Sequence, residues 1–228
     1  MGLQPGAGAV AAMNSRLAVV VLGAGKGTRM RSALPKVLHP VAGVPMARWV
    51  VDAARTLEPG RIVVVVGYEA ALVREALAAP DVQFVDQGEL LGTAHAVQQC
   101  RAALAGFETV MVLNGDSPLV RPETLMALRD GRGDAPVALL TCEVADTGAF
   151  GRVVRDEDGA VREIREQREG DGAAKRAERN TGQYVFEASW LWEHLPQVPR
   201  QANGEFYLTD LVAMAYREER PAVAVAGD

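Results

Sequence analysis

The sequence predicts a three-layer α/β/α sandwich built on a mostly parallel sheet, and three observations carry that prediction. Valine-rich runs recur along the first half: "LAVVVL" (17–22), "RIVVVVG" (61–67), "VQFV" (82–85) and "TVMVLNGD" (109–116). The first, second and fourth are apolar at odd and even positions alike, as strands covered on both faces must be. Between the runs lie segments whose apolar residues recur at helical spacing, and alternation of strand with helix implies right-handed crossovers between parallel neighbours.

Residues 1–15, "MGLQPGAGAVAAMNS", are small, uncharged and glycine-bearing, and are expected to form a flexible extension, with Met13 an alternative start. They lack the charged start and apolar stretch of a signal peptide. Gly6 stands where a myristoylation signal has Ser or Thr. After the first strand, "PMARWVVDAARTL" (45–57) places Met46, Val50, Ala53, Ala54 and Leu57 on one helical face. "EAALVREALAA" (69–79) and "GTAHAVQQCRAAL" (92–104) repeat the pattern. "RPETLMALRD" (121–130) opens with Pro and Glu, which suit a first helical turn.

The second half changes character. "APVALLTCEV" (135–144), "FGRVVRDEDGAVREIRE" (150–166) and "TGQYVFEAS" (181–189) read as strands, the middle one folded into a hairpin at "DEDG". The polar stretch 166–180 reads as a loop, "YLTDLVAMAYREE" (207–219) as a helix and "PAVAVAGD" (221–228) as a final strand. With no repeat and no clean linker, residues 16–228 are expected to form one domain. The chain stops just after a strand, which suggests that a last segment of the domain is missing.

Hydrophobic residues make up 49% of the 228 residues and charged residues 23%, enough for a core and too balanced for a disordered chain. No run of about 18 apolar residues occurs, so no membrane-spanning helix is expected. Cys100 and Cys142 form no disulfide framework, read as packing residues, and suit a reducing cytoplasm. The net charge of −5 argues against a general nucleic-acid binder. The charge is unevenly spread, however. Residues 1–51 hold Arg16, Lys26, Arg29, Arg31, Lys36 and Arg48 with no acid before Asp52, so they carry +6 against −11 for the remainder. A basic zone in an acidic protein suits a small anionic ligand.

That zone surrounds "LGAGKGTRMRSALPK" (22–36). Glycines after a parallel strand let the backbone turn sharply and bring N–H groups close to an anion. The loop lies at the carboxyl end of its strand, where open α/β sheets bind ligands. Gly23, Gly25 and Gly27 would form the turn. The pattern is not a P-loop, which needs a four-residue gap and a Gly-Lys-Ser/Thr ending. It is a poor dinucleotide fingerprint as well, lacking the third glycine spacing and an acid about 20 residues on. Lys26, Arg29 and Lys36 point instead to several phosphates, against the alternative of a glycine turn with solvated cations.

Two further segments end strands. "NGDSPL" (114–119) would project Asp116 beside the glycine loop if the sheet order brings the two strands together; a carboxylate there suits Mg²⁺, and equally a helix or turn cap. "QGELLGTAHA" (87–96) offers the Gln87 amide, complementary to a uracil edge, or is simply a loop before a helix. His95, on the helix side of that turn, reads as structural. The three histidines lack zinc-ligand spacing, and no nucleophile elbow appears.

"LGAGKGTRMRSALPKVLHPVAGVPM" resembles the signature of sugar nucleotidyltransferases. The similarity is closest to the uridyltransferase domain of bifunctional N-acetylglucosamine-1-phosphate uridyltransferase/glucosamine-1-phosphate acetyltransferases. It runs from about Arg16 to the end of the chain, through "QGELLGTAHAVQQ", "VLNGDSPLV", "FGRVV", "NTGQYVF" and "GEFYLTDLVAMAY" in order. The resemblance implies a Rossmann-like nucleotide-binding half of the nucleotide-diphospho-sugar transferase type. It implies transfer of a uridylyl group from UTP to N-acetylglucosamine 1-phosphate, with release of pyrophosphate. By resemblance, Leu22, Gly23, Ala24, Gly25, Lys36, Gln87, Gly92 and Thr93 bind the nucleotide. Asn114, Gly115, Gly151, Glu166 and Asn180 face the sugar phosphate. Arg29 and Lys36 hold the phosphates, and Asp116 holds Mg²⁺. Relatives supply a second metal ligand, an asparagine, beyond the point where this chain ends. Tyr207, Thr209 and Asp210 are candidates for support behind the sugar pocket. The acetyltransferase half would follow residue 228; full-length relatives form trimers, and this piece is expected to be a cytoplasmic monomer. Three other readings stay open: a different base or sugar, a dinucleotide-dependent oxidoreductase, and a sugar-nucleotide-binding fragment without catalysis.

Overall fold

In the computed structural model, which describes residues 16–144, 150–166 and 176–227, β1 (Leu17–Leu22) runs through the middle of the sheet and is buried from Leu17 to Val21. Its alternate residues face two different cores. Ala18 and Val20 join one apolar cluster, and Leu17, Val19 and Val21 join the other. This is why the run carries no polar alternation: neither face meets water.

The chain then forms a small hairpin, β2 (Pro40–Val41) and β3 (Val44–Pro45), whose turn residues Ala42 and Gly43 both have positive φ, as a tight two-residue turn requires. Helix α1 (Met46–Arg55) follows, then β4 (Arg61–Val66), α2 (Ala70–Leu77), β5 (Val82–Asp86), α3 (Thr93–Gln99), β6 (Thr109–Asn114), α4 (Pro122–Gly131) and β7 (Val137–Val144). The second half adds β8 (Arg152–Arg155), β9 (Val161–Arg165), β10 (Ala177–Glu187), α5 (Ala188–His194), α6 (Asp210–Arg217) and β11 (Val223–Ala226).

The sheet order is β11-β7-β10-β6-β1-β4-β5, with the β8–β9 hairpin attached to β10. Along that path β10 alone runs against its neighbours, pairing antiparallel with both β6 and β7, while the other pairs are parallel. Helices α3, α5 and α6 pack on one face through residues such as Val97, Leu191 and Leu211, and α1, α2 and α4 pack on the other through Val50, Val73 and Leu125. The three-layer, mostly parallel architecture is the one expected.

Two expectations for the second half are corrected. The strand expected at 181–189 begins at Ala177 and ends at Glu187, so the last four residues of the expected loop 166–180 are strand. Ala188–His194, whose first two residues fall in the expected strand, is a helix in which Trp190 and His194 stack one turn apart, with ring centroids 4.2 Å apart. Its aromatic residues favour strands by propensity; burial of Trp190 and Leu191 against the sheet overrides it. The expected extension 1–15 lies outside the described residues. Cys100 is fully buried, which pushes its thiol up to about 12, and burial raises Cys142 as well, in keeping with packing roles. No helix among the described residues is long and apolar enough to cross a membrane.

Candidate active site

Four parallel strands end along one rim, and the loops that leave them build a single cleft with two halves. Leu22 at the end of β1 is in register with Asn114 at the end of β6 and with Val65 of β4. The residue after each of β1 and β6 is a glycine whose N–H is committed to the sheet: Gly23 donates to the Val65 carbonyl at 2.9 Å, and Gly115 donates to the Leu22 carbonyl at 3.0 Å. A Cβ on Gly115 would come within 2.7 Å of that Leu22 oxygen. Gly23 and Gly115 therefore lie beneath the cleft and set its floor. Neither is among the residues that line it.

The loop beyond Gly23 forms the first half. Leu22, Ala24, Gly25, Lys36, Gln87, Gly92 and Thr93 line a space of about 680 Å³. Among the described residues no main-chain bond uses the N–H groups of Gly25, Lys26 or Gly27. Gly27 is left-handed, with φ of 62°, and packs on the stem of Lys36: a Cβ at Gly27 would sit 2.5 Å from the Lys36 Cβ. Lys36 itself opens a short 3-10 turn anchored by the buried Val37 and Leu38. The Arg29 side chain lies outside the described residues.

Across this half, Gln87 is 5% exposed and donates its amide to the Gly92 carbonyl at 3.0 Å. Gly92, at φ of 94°, has to be glycine because the Phe206 carbonyl would lie 2.5 Å from a Cβ. That contact belongs to a clasp. Phe206 donates its N–H to the Leu91 carbonyl at 2.8 Å, Ala94 donates to the Phe206 carbonyl at 3.0 Å, and Leu208 donates to the Thr93 hydroxyl at 2.9 Å. The hydroxyl expected to meet a ligand is thus already an acceptor for the 206–208 segment.

The second half, of about 650 Å³, is lined by Asn114, Asp116, Gly151, Glu166 and Asn180, together with Tyr184 and Thr209. Asn180 donates to the Tyr184 hydroxyl at 2.6 Å and accepts from the Gly182 N–H at 3.1 Å, while its own N–H goes to the Gly151 carbonyl at 2.9 Å. Complete burial raises the Tyr184 hydroxyl far above its usual range, so it stays neutral. The Glu166 carboxylate accepts from the Thr209 hydroxyl at 3.2 Å. Burial in the cleft raises its pKa, the Thr209 bond lowers it, and nearby Asp210 raises it again, leaving it above the ordinary carboxylate value. Gly182 and Tyr184 were not singled out from the sequence. "NTGQY" held the clue to Gly182, whose φ of 85° admits the Asn114 amide where a Cβ would lie 2.1 Å from its nitrogen.

The two halves share the walls Leu22, Lys36, Thr93, Asn114, Asp116 and Tyr207. Lys36 and Asp116 meet there as an ion pair, partly exposed to the cleft. The sheet order that places β6 beside β1 is what joins them, as the sequence reading required. Among the described residues no group of three His, Cys, Asp or Glu side chains could cage a metal ion. The Asp116 carboxylate at the junction of the two halves nonetheless fits Mg²⁺, which is bound by one or two carboxylates together with substrate phosphates and retained waters.

Residues 19–215 match the MobA-like NTP transferase domain. The chain is 49% identical over 199 residues to the bifunctional protein GlmU of Paraburkholderia xenovorans, covering 86% of this chain and 44% of that protein. It is 49% identical over 201 residues to GlmU of Pseudomonas putida and 46% identical over 201 residues to GlmU of Cellvibrio japonicus, covering 87% of this chain and 44% of each relative. The chain thus spans less than half the length of these relatives.

Proposed function

The chain belongs to the MobA-like NTP transferase domain family and is a nucleotidyltransferase, and from that premise we propose that it transfers a uridylyl group from UTP to N-acetylglucosamine 1-phosphate. A phosphate oxygen of the sugar phosphate attacks the α-phosphorus of UTP in line. The new P–O bond forms as the bond to the β-phosphate oxygen breaks, and pyrophosphate leaves with that electron pair. The attacking group is already an anion, so no enzyme nucleophile or base is needed. The barrier is repulsion between anions, and catalysis consists of positioning and charge neutralisation.

The observation that carries this reading is the Lys36–Asp116 pair at the junction of the two halves. The Gly25–Gly27 amides and Lys36 hold the triphosphate, with Arg29 assigned to the same phosphates. Gln87 and Gly92 face the base. Asn114, Gly151, Glu166 and Asn180 accept or donate to the sugar. Asp116 would hold Mg²⁺, which supplies charge neutralisation on the phosphate oxygens. Lys36, partly exposed at the junction, would turn from Asp116 to neutralise the charge on the leaving pyrophosphate.

The test is pyrophosphate release with each of four nucleoside triphosphates, N-acetylglucosamine 1-phosphate and Mg²⁺. UTP should be preferred, and chelation of the metal or Asp116→Asn should abolish turnover. Binding of UDP-N-acetylglucosamine with no pyrophosphate release from any triphosphate would overturn the catalytic reading in favour of a binding fragment.

A further inference from the structure

His95 lies half-buried on α3 and takes no part in the chemistry above, yet its ring stands against the residue assigned to the base. Its Nδ1 is 3.4 Å from the Gln87 amide nitrogen, and its Nε2 is 3.1 Å from the Gln99 amide nitrogen. A glutamine amide has two orientations that exchange oxygen and nitrogen, and only its neighbours choose between them. For Gln87 the neighbours are the Gly92 carbonyl and His95 Nδ1. The first accepts one amide hydrogen. The second accepts the other when the neutral ring carries its proton on Nε2. Turned over, the amide would set its oxygen against both acceptors. The Gln99 amide nitrogen also donates to the His95 main-chain carbonyl at 3.4 Å, so this tautomer requires the exposed Gln99 amide to give up that long bond and turn its oxygen to Nε2.

We propose that His95 is a positioning residue for base discrimination: it locks the Gln87 amide nitrogen inward and so presents the Gln87 carbonyl oxygen to the nucleotide. That oxygen has no hydrogen-bond partner among the described residues, although Gln87 is nearly buried. It selects a base edge that donates. The imide N–H of uracil does so, while cytosine has an acceptor at the same ring position. A site built for one donor rejects an edge that lacks it because the buried partner is then left unpaired.

The inference rests on Gln87 reading the base, and the experiment separates the two. Equilibrium binding of UTP and of CTP, each with Mg²⁺, is measured by titration calorimetry, which needs no turnover. His95→Phe and His95→Ala remove the acceptor and should each lower the preference for UTP over CTP by about tenfold. His95→Asn retains an acceptor and should keep the preference within about threefold of the parent. Equal loss of affinity for both nucleotides, or an unchanged preference in a His95→Phe or His95→Ala protein with a normal thermal midpoint, overturns the proposal. If Gln87→Ala abolishes the preference while the His95 variants keep it, His95 alone is wrongly assigned. If Gln87→Ala keeps it, the base-reading role of Gln87 falls, and the role of His95 with it.

Discussion

Lys36 and Asp116 lie 80 positions apart in the chain and face each other where the two halves of the cleft meet, each leaving its own strand–loop unit at the same rim of the sheet. Because the pair is open to solvent, it contributes little to stability, within about 1 kcal/mol. Its value lies in where it holds the two charges. Lys36→Ala is therefore expected to lower pyrophosphate release at least about a hundredfold while leaving the thermal midpoint nearly unchanged. A near-parental rate would remove Lys36 from the mechanism.

Gly27→Ala should act through Lys36. The added Cβ meets the Lys36 Cβ at 2.5 Å, and the left-handed backbone costs about 1–2 kcal/mol in addition. Gly43→Ala carries a comparable backbone cost, at φ of 81°, with nothing within 4 Å of the new Cβ. The Gly27 variant is expected to lose turnover and the Gly43 variant to lose only stability. In a Lys36→Ala background, Gly27→Ala should cost less turnover than it does in the parent, and a fully additive loss would refute the coupling.

Glu166 should give the sugar side an acid limb at higher pH than an ordinary glutamate. Its raised pKa means that the folded state holds the proton more tightly than the unfolded chain. The stability this supplies is fully present below the unfolded value and is lost as pH rises through the folded value. Glu166→Gln should accordingly raise the thermal midpoint at neutral pH and have no effect under acid conditions. In the parent, KM for the sugar phosphate should rise as pH falls through the same range, and in the variant this dependence should disappear.

Thr93→Val keeps the shape of the side chain and removes the acceptor of the Leu208 N–H, at a cost of about 1–3 kcal/mol. Since the 206–208 segment leads into Thr209, whose hydroxyl donates to Glu166, affinity for both the nucleotide and the sugar phosphate should fall together. Calorimetry that showed loss on the nucleotide side alone would assign Thr93 to direct ligand contact instead.

Much of this was legible from residue patterns. β1, β4 and β6 announce burial on both faces, and Pro122 with Glu123 marks the start of α4. The start of β10 was not legible, because Asn180 to Gly182 form an irregular, polar interruption where the pairing with β7 shifts register. Helix α5 was hidden by its tryptophans. In the site, the residues that line the cleft could be collected by resemblance. The difference between glycines that line it and glycines that carry it could not. Gly23 and Gly115 look like Gly25 in sequence, and only the positions of the Val65 and Leu22 carbonyls separate them.

The reversed strand has a wider consequence. In β10, Tyr184 pairs with Val112 and Glu187 with Thr109, so its leading end overshoots the tip of β6 and carries the β8–β9 hairpin past the rim. The first half of the cleft is carried by loops that leave parallel strands in the middle of the sheet, which cannot change without rebuilding it. The second half of the cleft takes Gly151 and Glu166 from the ends of the β8–β9 hairpin, which is fastened to β10, to Ala222 through Val161 and to the Tyr216 hydroxyl through Asp156. On the proposed reading, a change in the hairpin would alter the sugar accepted and leave the loops assigned to the triphosphate untouched.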